Sequence, residues 1–265
     1  MKTTIVVANT LEELLNAPDN YTHAFCSNKS SLTDTDCIKI AEALRSAKKL
    51  TVLGLCEKEI TAEGVKALAK SLESNNTLAH LALGGNDFGD AGAQELAKSL
   101  VFAPNITVLD LSDNLITDTG AAEFVQLIEC NTDLEFLDLG YNMITDKGVE
   151  KLMEGVTIND TLATLILTGN EIGDKGAAAI AKELVVHKAI NLSVLTHTEV
   201  AKKIHQELSA QYKILREAGG IEKEGAFIPF RELIIEELLI GNGIEIPEYE
   251  DPSIEVAGEI VEDIL

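Results

Sequence analysis

Two aspartates 28 residues apart, Asp110 and Asp138, are the side chains in this sequence best placed to act as a pair. Each stands among alternating apolar residues, Val108-Leu109-Asp110-Leu111 and Phe136-Leu137-Asp138-Leu139. On neighbouring strands they would share a column, and like charges that close are unfavourable unless solvated or met by a cation. They could therefore receive a partner's arginine or lysine. Catalysis finds little support. The histidines, His23, His80, His187, His197 and His205, fall at unrelated places in the pattern described below, and no Ser/His/Asp or Cys/His set emerges. Cys26, Cys37, Cys56 and Cys130 match neither a disulfide framework nor a zinc-ligand spacing, so they read as reduced thiols in an intracellular compartment. Cys26 and Cys56 are expected to face the same surface, without a basic neighbour to activate either. No glycine-rich phosphate loop is present, and no cofactor or metal is expected.

The elements that must position these residues follow from a repeat. In rows of 28, Leu50, Leu78, Ile106, Leu134 and Leu162 share one column. Leu53, Leu81, Leu109, Leu137 and Leu165 follow in a second, and Leu55, Leu83, Leu111, Leu139 and Leu167 in a third. Further columns hold Asn86, Asn114, Asn142 and Asn170, then Gly64, Gly92, Gly120, Gly148 and Gly176. Each row opens with period two, a strand, and after the glycine changes to helical spacing, as at Leu68 and Leu72 or Phe124 and Ile128.

The L-x-x-L-x-L opening with its Asn and Gly columns resembles the ribonuclease-inhibitor-like leucine-rich repeat, also found in the sensor arrays of NOD-like receptors. The resemblance spans five full rows, Leu50 to Lys188. Weaker rows flank them, with Thr22, Phe25, Ser27 and Leu32 before and Ile190, Leu195, Val200 and Leu208 after. It implies an α/β solenoid of about seven repeats, with parallel strands on the concave face and helices on the convex one.

Geometry alone predicts the same arc. Strands stack about 4.8 Å apart while helices with side chains need about 10 Å, so the stack must bend with its strands inside. Asp90, Asp118, Asp146 and Asp174 are expected to cap the helices they open, and the asparagines to satisfy buried backbone groups. The expected domains are an N-terminal cap (1–21), the repeat array (22–217), a C-terminal cap (218–246) and an acidic tail (247–265). From Ala218 on, 13 acids face only Lys223 and Arg231, a net of 2 minus 13, or −11.

The residues between and after the leucines should line the concave face, the default binding surface of such arrays. The expected partner-binding set is His80, Val108, Asp110, Asp113, Phe136, Asp138, Tyr141 and Ile166. Gly54, Ala82 and Gly84 predict a smooth trough towards the N-terminal end. The partner is expected to be a protein with basic and apolar groups. A net charge of −23 on 265 residues disfavours nucleic acid and anionic membranes, and neither a signal nor a membrane span is apparent. A cytosolic monomer that binds without catalysis is the expectation. Two narrower resemblances remain open. Leu111-Ser112-Asp113-Asn114 and the acidic C-terminal segment resemble features of Ran-type GTPase-activating proteins. The regular repeats and glutamate-rich end also look like those of effectors that intracellular bacteria deliver into host cytosol.

Overall fold

The computed structural model describes residues 5–26, 31–101, 103, 105–186, 193–195, 200 and 203–204. Ser27, Ser30, His187, Ile190, His197, Thr198, His205, Leu208, the expected C-terminal cap and the acidic tail lie outside the described residues. Among the described residues, eight strands form one sheet in sequential order, every neighbouring pair parallel. They are β1 (Val7–Ala8), β2 (His23–Phe25), β3 (Val52–Gly54), β4 (His80–Ala82), β5 (Val108–Asp110), β6 (Phe136–Asp138), β7 (Thr164–Ile166) and β8 (Ser193–Leu195). Among the described residues these helices alternate with them: α1 (Leu11–Asn16), α2 (Asp34–Ser46), α3 (Ala62–Leu72), α4 (Gly89–Leu100), α5 (Asp118–Cys130), α6 (Asp146–Val156) and α7 (Asp174–Val186). This is the expected α/β solenoid arc. The leucine columns, among them Leu53, Leu81, Leu109, Leu137 and Leu165, are fully buried between strands and helices. No helix among the described residues is long and apolar enough to cross a membrane.

The asparagine column joins consecutive rows. Asn142, buried, accepts from the backbone N–H groups of Asn114 and Ile116 at 3.0 Å each. Its amide donates to the carbonyls of Leu111 and Leu139, also at 3.0 Å. Asn86 bonds backward in the same way to Lys58, Ile60 and Leu55, and Asn170 to Ile144 and Leu139. Each amide satisfies groups that burial would otherwise orphan.

The aspartate column does something other than expected. Asp118 is the first residue of α5, not its cap; Thr117 precedes it as N-cap. Its carboxylate instead reaches one row on, accepting from the N–H groups of Thr145 and Gly148 at 2.7 and 3.0 Å and from the Thr145 hydroxyl at 2.7 Å. Asp90 serves Thr117 and Gly120 alike, and Asp146 serves Gly173 and Gly176. Each aspartate thus takes orphan donors at the start of the following helix. Ala62 stands in the same column, and the following helix α4 has no side-chain cap. The glycine column is needed for this approach: a Cβ on Gly148 would lie 2.6 Å from Asp118 Oδ1.

At both ends the rows slip by one. Ala24 pairs with Leu53 and Val194 with Leu165, offsets of 29 rather than 28. A one-residue slip exchanges the faces of a strand. Phe25, placed with the inward leucines by the 28-residue rows, is therefore exposed, while Ala24 and Cys26 are buried. Cys26 is a core residue and does not share a face with Cys56.

Burial pushes the Asp118 carboxyl up, but the hydrogen bonds from Thr145 and Gly148 outweigh it and hold it below its ordinary value. That stabilisation is present above the unfolded value near 3.9 and disappears as pH falls through the lowered folded value. Asp118→Ala should cost about 1–2 kcal/mol at pH 7, as a lost cap does. The loss should shrink towards pH 3, measured by urea denaturation at both pH values.

Candidate functional site

The inner face is built from two columns. His80, Val108, Phe136 and Thr164 stand in register on β4 to β7, and beside them Ala82, Asp110, Asp138 and Ile166. The alternation that buries the leucine between them leaves each flanking side chain half-buried on the sheet surface. Six of the eight expected residues are brought together in this way. Asp113 and Tyr141 are set apart, exposed in the turns that follow β5 and β6, each at a φ of 52°.

The two aspartates are adjacent partners, as the spacing predicts. They are not equivalent. Asp110 accepts from Ser112 N–H at 3.0 Å and Ser112 Oγ at 2.7 Å, and the Cys56 thiol points to its Oδ2 at 3.8 Å. Asp138 Oδ1 takes the Gly140 N–H at 2.7 Å. Burial pushes the Asp138 carboxyl up to about 6; the Gly140 bond opposes this and the charge of Asp110 adds to it. Burial likewise pushes the Cys56 thiol up to about 11, with Asp110 contributing, so this cysteine is an inert thiol near neutrality. Among the described residues no three His, Cys, Asp or Glu side chains gather as metal ligands.

Towards the N-terminal end the face differs from the expected smooth trough. The Phe25 ring lies across Gly54, which it buries, and the Asp110 carboxylate and Ser112 hydroxyl occupy the space above Gly84. His23 and Phe25 form an aromatic ledge with ring centroids 6.5 Å apart. Burial pushes the His80 pKa down, and His23 lowers it further. His80 is thus coupled to the His23 end of the face.

Sequence reasoning missed a second amide ladder. Asn75, Asn131 and Asn159 are buried at the helix ends and tie Leu44, Leu100 and Ile128 of the preceding row to the turns that follow. The 28-residue recurrence of Asn131 and Asn159 was its signal. Also missed were Leu115 and Met143, exposed apolar residues one row apart in the turns.

With this geometry in place, similarity to known proteins is informative. A leucine-rich-repeat family model, described as Leucine Rich repeat, matches residues 74–97, 102–125, 130–153 and 159–181. Fold and repeat together define a leucine-rich-repeat solenoid. A solved structure of leiomodin-1 actin-binding site 2 (ABS2) is similar at 15% identity with a TM-score of 0.42, over 78% of this chain and 95% of that one. No curated protein matches the chain in sequence.

Asp138 supplies a pH signature. Its folded value is raised, so the favourable contribution holds below the unfolded value near 3.9 and is lost as pH rises through about 6. Asp138→Asn, which keeps an acceptor for Gly140, should therefore melt progressively higher than the parent as pH goes from 4 to 7. A constant difference in calorimetric Tm across that range would show that the carboxylate is not held against its charge.

Proposed function

We propose that the protein is a non-catalytic binding module that takes a protein partner on its inner sheet face, around Asp110, Phe136, Asp138 and Ile166. One observation carries this reading: an acidic pair on adjacent strands, one member half-buried and reluctant to ionise, lies among apolar side chains with no cation of this chain paired to it among the described residues. An incoming arginine or lysine would relieve the repulsion, while Val108, Phe136 and Ile166 offer apolar area around the charge. Arginine suits the position best, because its planar fork matches carboxylate geometry. Binding would be accompanied by proton release from Asp138, and would strengthen as pH rises from 5 to 7.

A cytosolic setting fits cysteine spacings that match no disulfide framework, together with the acidic composition, and delivery into a host cytosol is one form that setting could take. The Ran-type alternative has less to rest on. Asn114 is fully buried, donates to Leu83 and Ser112 and accepts from Asn86 N–H, so the row structure accounts for it.

Quantitative affinity purification from cytosolic extract, comparing the parent with Asp110→Lys and Asp138→Lys, tests the reading. Proteins captured by the parent should be depleted roughly tenfold by either reversal, a loss of about 1.4 kcal/mol, with the melting transition retained. Undiminished capture by folded variants removes the inner face as the site.

A further inference from the structure

At the outgoing edge of the sheet, where each strand turns towards its helix, the backbone adopts the left-handed conformation row after row. Glu57, Gly85, Asp113, Tyr141 and Gly169 recur at one position with φ of 54°, 68°, 52°, 52° and 76°. Two glycines satisfy this without strain; a tyrosine does not. Leu115 nearby also has a positive φ, 59°. A bulky side chain in this region is strained by its own Cβ. Neither side chain offsets that strain by burial, since Tyr141 is 66% and Leu115 50% exposed. Met143, 47% exposed, stands one row beyond Leu115 and its N–H bonds to the Ile116 carbonyl at 2.8 Å. Leu115, Tyr141 and Met143 are thus exposed apolar side chains on two consecutive rows of one edge, with the Tyr141 ring lying over Gly169 one row on.

The surroundings of the patch select its occupant. Asp87 and Glu171 hold the places one row before Leu115 and one row after Met143, and Asp113 the place one row before Tyr141. All three acids are exposed, and none is in an ion pair among the described residues. Lys147 and Lys175 sit in the first turns of α6 and α7, and Lys58 in the turn after β3, where its N–H bonds to Asn86. An apolar centre with acids at both ends complements a segment with an apolar centre and bases at both ends. A second copy of this chain, at net charge −23, would meet repulsion there, as would its own segment 218–265 at −11.

The geometry points to a docking site on this edge for a short foreign peptide segment of basic–apolar–basic character. It rests on the reading of the protein as a binding module and adds an edge site to the inner face. Four rows at about 4.8 Å per step span roughly 15 Å, the length of four or five extended residues. An aliphatic or aromatic anchor of the segment packs on Leu115, Tyr141 and Met143, and its flanking lysines or arginines meet Asp87, Asp113 and Glu171.

The left-handed backbone makes the test clean, because asparagine tolerates that conformation better than leucine or tyrosine. The double variant Leu115→Asn, Tyr141→Asn should melt no lower than the parent, and removing the strain should raise its Tm. The probes are fluorescein-labelled peptides of sequence Arg-Lys-Leu-Tyr-Leu-Lys-Arg, the same peptide with Ser-Gly-Ser at its centre, and the same peptide with glutamate for every base. Fluorescence anisotropy with the full chain should show the first peptide binding roughly tenfold tighter than either control, and the double variant should lose roughly tenfold. Asp87→Lys with Glu171→Lys should weaken it similarly, and Ile38→Ser, at an exposed position of α2, should leave it unchanged. Equal binding of the Ser-Gly-Ser peptide, or undiminished binding by the double variant, overturns the edge site. So does a dimer in sedimentation that the double variant dissolves, or binding that appears only after residues 218–265 are removed. Binding lost through Phe136→Ala or Asp138→Lys but not through the edge variants overturns this inference while leaving the inner-face reading standing.

Discussion

The constraint on which the rest depends is that a thin repeat cannot satisfy its own buried polar groups. Each row contributes a strand, a helix and two turns, and the turn backbones are enclosed by the neighbouring rows. An unpaired buried donor or acceptor costs about 1–3 kcal/mol, so every row must borrow partners from the next. Asn86, Asn114, Asn142 and Asn170 bridge backward at the strand ends, while Asp90, Asp118 and Asp146 reach forward to the next helix. Asparagine is suited to the first task because its amide both donates and accepts; aspartate suits the second because only donors wait at a helix start. Crossing in opposite directions, these two ladders hold each row in register with both neighbours. A stack fixed in this way, thicker on its helical side, presents a continuous sheet face bordered by an edge of turns.

The five central rows were legible because two strong signals agreed: apolar residues recurred at 28, and the period changed from two to helical within each row. The faces of those strands followed directly, so the columns containing Val108, Asp110, Phe136, Asp138 and Ile166 were placed correctly. The outer rows were not legible. With Asn absent at Lys58 the row ahead lacks its marker, and the single extra residue before β3 inverts the faces of Phe25 and Cys26 without changing the apolar content that the eye follows. The aspartates were recognised as helix-start residues, but the sequence does not say which helix a carboxylate serves. That depends on the glycine one row on, whose missing Cβ opens the path. Likewise, the glycines at 54 and 84 read as empty trough, whereas Phe25 and Asp110 fill the space they leave.

What remains on the surface divides by necessity. Most side chains of the sheet face and turns have a structural explanation: Ser112 and Asp110 bind one another, and Asn114 and Asn142 hold rows together. Two features lack one. Asp138 is kept half-buried beside a second carboxylate, and Leu115 and Tyr141 are exposed on a backbone that suits neither. Each costs the isolated protein stability, and each would be relieved or used by a partner carrying positive charge and apolar bulk. Asp138 ends β6 and Tyr141 stands in the turn that follows it, so one extended partner can engage both, continuing from the face over its edge.

The central claim is that this surface is open and meets another polypeptide. A photo-crosslinking benzoylphenylalanine carried at position 136, in place of Phe136, tests it most directly. Irradiation in cytosolic extract, followed by mass spectrometry of the adducts, should join position 136 to a basic segment of a different protein. Adducts confined to the chain's own residues 218–265 would contradict the account, because the face would then be covered from within.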